Sequence, residues 1–183
     1  MERYEELKNK LIEIGDTGTM QCFGESMVPL IKSGSVLTFR KEESYQKGDI
    51  VFCQITADMD YERKVRWFIR NHLEPMGVVM EEIYPSMLKE LKDENLDDFT
   101  YNGRKYSVPN QVTFYVDAHM VVDVKDNKYL IGAVNTQYGL NGWADGSNVY
   151  GRVIEARCED LEDFYNESRV YGDMVAKAYG LKD

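Results

Sequence analysis

The chain has 183 residues, 22 Lys plus Arg against 32 Asp plus Glu, a net charge of −10, and 43% hydrophobic residues. That balance fits one ordinary globular domain with a small appendage and excludes a collagen-like chain or a disordered polyampholyte. The negative charge argues against binding duplex nucleic acid through its phosphates, and no apolar run approaches the roughly 18 residues of a membrane-spanning helix.

The N-terminal stretch MERYEELKNKL lacks the apolar core of a secretory signal. Tyr4, Leu7, Leu11 and Ile14 recur at three- and four-residue steps. They predict a helix over 2–15 closed by Gly15, within an N-terminal segment 1–19. No second helix fits before residue 20, so a helix-turn-helix head is not expected. Val36 to Phe39 and Ile50 to Ile55 read as strands, with Lys47-Gly48-Asp49 as a tight turn into the second. Val65 to Ile69 reads as one more strand. Met80, Ile83, Tyr84, Met87, Leu88, Leu91 and Leu96 have helical spacing within 79–96, and Pro85 either kinks that helix or marks the first turn of one starting near residue 84. Asp93, Glu94, Asp97 and Asp98 form an acidic cluster at its end, where negative charge opposes the helix dipole.

Asn102-Gly103 between Tyr101 and Tyr106 predicts a small hairpin. Strand patterning returns at Val112 to Tyr115, Met120 to Val124, Tyr129 to Ile131 and Val149 to Ala156, with Asp126-Asn127 and Asn141-Gly142 as turns between. A last helix is expected from Asp160 to Tyr179, weakened by Gly172. The fold class is therefore α+β. A mostly antiparallel β domain over 20–156 is interrupted by an insertion at 57–111 and flanked by terminal helical segments 1–19 and 157–183.

Cys22, Cys53 and Cys158 are odd in number and form no CxxC pair. Neither a zinc knuckle nor a disulfide framework is expected, and the three read as apolar fillers in a reducing, cytoplasmic setting. Walker, GxGxxG, HExxH and GxSxG patterns are absent, and His72 and His119 are too few for a multi-histidine metal site. No cofactor or metal is expected. His72 reads as a surface or loop residue.

The informative stretch is Gly24-Glu25-Ser26-Met27-Val28-Pro29-Leu30-Ile31, followed by Gly34 and by Lys47-Gly48-Asp49-Ile50-Val51. Gly24 lets the backbone approach closely and Pro29 fixes the exit of the turn. Ser26 then either caps the following turn or presents its hydroxyl beside backbone N–H groups, the requirement of an oxyanion site.

Gly-x-Ser-Met-x-Pro-x-Ile, a glycine, and then Lys-Gly-Asp-Ile-Val resembles the LexA/UmuD and signal peptidase superfamily. A second stretch adds to the likeness. Ala118-His119-Met120-Val121-Val122 precedes Lys128-Tyr129-Leu130-Ile131-Gly132, Asn135, Asn141-Gly142-Trp143 and Val149-Tyr150-Gly151-Arg152-Val153. It is similar to the family's base-bearing strand, its following hairpin and its closing strand, in the version of soluble phage- or bacterium-encoded relatives. The resemblance implies a soluble serine endopeptidase with Ser26 as nucleophile and Gly24, Met27 and Pro29 shaping the substrate side.

Where most members carry a lysine base, this chain carries His119, as in some signal peptidases. Histidine is neutral near pH 7 and suited to accept the serine proton. Asp117 shares its strand face and is the expected partner of the ring. Lys64 is the competing base, in the cationic run Arg63-Lys64-Val65-Arg66. The substrate would be a peptide segment, in another protein or in the chain itself. UmuD-like relatives dimerise, so the resemblance admits a homodimer. The alternative is a catalytically inactive scaffold of the same fold that binds a host or partner protein through its acidic insertion.

Overall fold

The computed structural model describes residues 2–90, 98–158, 164–165 and 169–181. In chain order the helix α1 (Glu2–Lys10) leads into strands β1 (Thr17–Gln21), β2 (Val36–Arg40) and β3 (Ile50–Asp58). Helices α2 (Tyr61–Phe68) and α3 (Met80–Glu90) and the strands β4 (Asp98–Tyr101) and β5 (Arg104–Ser107) follow. The chain then returns through β6 (Gln111–Lys125), β7 (Lys128–Gly132), β8 (Leu140–Asp145), β9 (Val149–Arg157), β10 (Phe164–Tyr165) and α4 (Arg169–Ala178). It divides into two compact units, residues 1–56 with 113–183, and residues 57–112.

The first unit is built on a sheet ordered β1-β2-β9-β3-β6-β7-β8, with β10 added to β9. In it β1 pairs with β2, β2 and β3 with β9, β6 with β7 and β7 with β8, each antiparallel. The class is α+β, mostly antiparallel. Alternation explains the strands: in β2, Leu37 and Phe39 are fully buried while Val36 is exposed. Leu37, Phe39, Phe52, Met120 and Val122 lie in the main core, each fully out of solvent. A fully buried residue of this size contributes roughly 1.5–3 kcal/mol.

Leu7 and Leu11 bring α1 onto that core, and the Tyr4 ring stacks 5.2 Å from Tyr115. The helix stops at Lys10, short of the expected Gly15. The Asp16 carboxylate accepts from the backbone N–H groups of Ile12 (3.0 Å) and Glu13 (2.8 Å), and Ile14 is left exposed. Local side-chain acceptors of this kind compete with helix bonds.

Two expected turns form with the geometry their residues favour. At Lys47-Gly48-Asp49, the Asp49 carboxylate accepts from Gln46 N–H at 3.0 Å and Gly48 takes φ +93°. Asp126 and Asn127 both take positive φ, 51° and 56°, joining β6 to β7 in a two-residue hairpin. The expected Asn141-Gly142 turn does not form: both residues lie within β8, where Gly142 pairs with Ile131. The C-terminal helix is shorter than expected. It begins at Arg169, after the strand β10, and residues 160–163 and 166–168 of the expected span lie outside the described ones.

The second unit corrects the reading of Val65 to Ile69 as a strand, for these residues are helical. Asp60 caps α2 by accepting from Arg63 N–H at 2.8 Å, and Val65, Phe68, Ile69 and Leu73 bury one helical stripe. The helix continues as a π-turn over Ile69–Leu73. α3 starts at Met80 and carries Pro85 inside it. Asn102 and Gly103 take φ 47° and 75° and close the expected β4–β5 hairpin. Asp93, Glu94 and Asp97 of the acidic cluster, and the side chain of Asp98, lie outside the described residues. His72 is not a loop residue: it sits in the π-turn with its ring 4.8 Å from Tyr106 and 5.4 Å from Phe68.

Candidate active site

The segment between β1 and β2 closes on itself before it presents Ser26. Cys22 N–H donates to Ser35 carbonyl (3.0 Å), Gly34 N–H to Cys22 carbonyl (2.8 Å), and Gly24 N–H to Ser33 Oγ (2.9 Å). Met27 and Ile31 anchor it in the main core, 4% and 5% exposed. Met27 is thus a core anchor, whereas Gly24 and Pro29 are exposed. The reason for glycine at 24 differs from the expected close approach. A Cβ there would meet nothing within 4 Å, but φ is +113°, which side chains with a Cβ rarely adopt. Pro29 follows a cis peptide bond.

His119 arrives from β6, flanked by the buried Ala118 and Met120. Its Nε2 lies 3.0 Å from Ser26 Oγ, and its Nδ1 lies 2.5 Å from Asn141 Oδ1 on β8. The Ser26 carbonyl accepts from Asn135 N–H at 2.9 Å, in the loop between β7 and β8. Three stretches distant in sequence, around Ser26, around His119 and over residues 135–141, therefore meet at this site. Among the described residues, the backbone N–H groups of Ser26 and Met27 have no protein acceptor.

The orientation of the ring has a chemical consequence. An amide oxygen at Nδ1 requires a proton there, so the neutral ring keeps its lone pair on Nε2, facing the serine hydroxyl. Burial lowers the His119 pKa below its ordinary value, against the opposing pull of the Asn141 bond and the Asp117 charge. The imidazole is accordingly neutral at pH 7.

Asp117 is not the partner of the ring. Its carboxylate pairs with Arg3 at 3.5 Å, and Arg3 also donates to the Gln21 carbonyl at 2.9 Å. Asp117 instead joins Cys22, Ile31, Leu37 and Ala118 around a small pocket beside Ser26. The Cys22 thiol is pushed up to about 12 by burial and by Asp117, which makes it inert as a nucleophile.

Lys64 is placed in a different unit from Ser26. It lies on α2, not on a strand, and its ammonium donates to Asn110 Oδ1 at 2.9 Å. The structure brings Ser26 and His119 together and leaves Lys64 with partners of its own. Sequence reasoning missed the role of Asn141, because Asn-Gly reads as a turn. The place of Asn141 in the hairpin after the His119 strand was the signal that pointed to it. Among the described residues no cluster of three or more His, Cys, Asp or Glu side chains forms a metal site. None of their helices is long and apolar enough to cross a membrane.

Comparison of the chain with protein-family models, curated proteins and solved structures returned no match.

Proposed function

We propose that this protein is a serine peptidase of the LexA/signal peptidase type, in which Ser26 attacks a peptide carbonyl and His119 takes its proton. The observation that carries this reading is the 3.0 Å approach of His119 Nε2 to Ser26 Oγ, with Nδ1 held by Asn141. A hydroxyl, a neutral base on it and a group orienting that base are the three parts of an activated nucleophile.

The steps follow from the positions. The Ser26 proton moves to Nε2 as Oγ bonds to the substrate carbonyl carbon. The resulting oxyanion meets the unoccupied N–H groups of Ser26 and Met27. The imidazolium, stabilised through Nδ1–H by Asn141, then gives its proton to the leaving amine. Water hydrolyses the acyl-enzyme by the same route in reverse.

The peptide lies along β6. β7 pairs only with its Met120–Lys125 half. The preceding residues up to His119 have no strand partner on that side among the described residues, and an extended peptide adds there as a strand. The small pocket beside Ser26 favours a small side chain next to the scissile bond.

Labelling with a fluorophosphonate probe tests the reading. Intact mass should rise by one adduct, located on Ser26, and S26A and H119A should abolish it. A folded wild-type chain that stays unlabelled and cleaves no peptide in an extended-peptide library would sink the reading. It would leave the non-catalytic binding scaffold, for which S26A is silent.

A further inference from the structure

The C-terminal helix α4 touches neither Ser26 nor His119 through any described bond, yet it is seated on the elements that carry them. Gly172 makes one end of this seat. A Cβ there would lie 2.8 Å from Gly48 N, so the helix backbone rests directly on the turn before β3. Glycine at this position weakens the helix intrinsically but permits the approach. Gly48 N–H in turn donates to Val121 carbonyl on β6, two residues from His119, at 2.8 Å. Lys47 pairs with Asp173 at 3.2 Å, and Val175 and Ala176 are buried in the main core.

The other end is Tyr179. Its hydroxyl proton is shared between the carbonyls of Ala133 (2.5 Å) and Gly139 (3.0 Å), the two ends of the loop between β7 and β8. Ala133 N–H also donates to Gly139 carbonyl at 3.1 Å, so the phenol closes the neck of a loop already pinched there. The ring packs on Gly132, where a Cβ would stand 3.2 Å from Tyr179 Cε2. Beyond Tyr179 the helix ends, with Gly180 at φ +76° and Leu181 N–H donating to Ala176 carbonyl.

That loop serves both members of the dyad. Asn135 within it donates to the Ser26 carbonyl at 2.9 Å. Asn141, two residues past Gly139, holds His119 Nδ1. The neck at Ala133 and Gly139 therefore sets where the nucleophile turn and the ring-orienting amide stand relative to each other.

We propose that Tyr179 is a positioning residue for acyl transfer, bracing from α4 the loop that aligns Ser26 with His119. The inference rests on the Ser26–His119 reading and adds to it a control point at the C-terminal end of the chain. Misplacement of reacting groups by about 1 Å, even from a distant change, costs up to about a hundredfold in rate. Loss of the single shared proton of Tyr179 corresponds to about a tenfold effect.

Two measurements on full-length Tyr179→Phe test it, the variant keeping the ring on Gly132 while losing the bond. The first is amide hydrogen exchange. Exchange at Asn135 should accelerate about tenfold, while exchange at Met20 in the β1–β2 pair stays unchanged. The second is Ser26 acylation by the fluorophosphonate probe. The maximal rate should fall about tenfold with the half-saturating concentration unchanged, a split that general destabilisation does not produce.

Should Tyr179→Phe fail to fold, Gly132→Ala, whose methyl would stand 2.8 Å from Leu140 Cδ2 and 3.2 Å from Tyr179 Cε2, displaces both side chains at the neck and should give the same selective pattern. If either readout is unchanged in a folded variant while the wild type is labelled, the inference is overturned and the dyad reading stands. A folded wild-type chain that the probe leaves untouched and that cleaves no peptide of the library removes both.

Discussion

Each unit of this molecule holds a side-chain nitrogen against an asparagine oxygen, and the two cases differ in the geometry around that nitrogen. In the insertion, Lys64 donates to Asn110 at 2.9 Å; in the β unit, His119 Nδ1 meets Asn141 at 2.5 Å. Lys64 has one side-chain nitrogen, and that nitrogen meets Asn110. A histidine that donates through Nδ1 presents a lone pair on the opposite side of the same ring. Burial is common to both, and Lys64 is only 9% exposed. What distinguishes the two side chains is the second ring nitrogen of His119 and the Ser26 hydroxyl 3.0 Å from it.

The sharpest way to break the comparison is to remove each nitrogen in turn. His119→Ala should lower the rate of Ser26 acylation by roughly a hundredfold to ten-thousandfold. Lys64→Met should leave it within a factor of two or so if the chain stays folded. Rate constants from the fluorophosphonate reaction decide it, and a loss on Lys64→Met equal to that on His119→Ala would refute the assignment.

Asparagine 141 comes next in size. Replacing it by alanine leaves Nδ1 unpartnered and lets the ring choose the other tautomer, so acylation should slow by about ten- to a hundredfold. Asn141→Asp sharpens the point through pH. A carboxylate at Nδ1 favours the imidazolium and raises the His119 pKa, so the acid limb of the rate profile should move to higher pH.

In the wild type that limb should lie below the ordinary histidine value of about 6.5, because burial depresses the pKa. The same depression carries a stability term. The unfolded chain takes up a proton at about 6.5 and the folded one only at lower pH, so the contribution is complete above 6.5 and is lost as pH falls. Urea midpoints measured from pH 7.5 down to 5 should decline, and His119→Gln should flatten part of that decline.

Smaller effects probe the scaffolds. Gly172→Ala forces a methyl to within 2.8 Å of Gly48 N and should destabilise by about 1–3 kcal/mol despite its better helix propensity. Asp60→Ala removes the cap of α2 and should cost about 0.5–2 kcal/mol, without changing acylation at Ser26. Thermal unfolding of both variants reads the difference.

Much of the architecture was legible in the chain itself. Alternating burial in β2, the Lys47-Gly48-Asp49 turn, and the hairpins at Asn102-Gly103 and Asp126-Asn127 follow from local sterics, because positive φ and period-two burial act over a few residues. Local reasoning misread Val65 to Ile69, whose β-branched and aromatic residues suit a strand. Here the Asp60 cap and the Leu73 contact outvoted propensity. It also misread Asn141-Gly142, a turn signal absorbed into an edge strand by pairing with β7.

By itself the sequence determined the α+β class and the turn that presents Ser26, whereas the burial of Met27 as the anchor of that turn came from the structure. Tertiary structure alone brought His119 against Ser26, put Asn141 rather than Asp117 at the ring, and set Tyr179 at the neck of the loop beside them. The physical reason is range. A turn or a strand is selected by neighbours in the chain, whereas a dyad depends on ångström-scale distances among Ser26, His119, Asn141 and Tyr179, which only the closed sheet and its docked helix bring together.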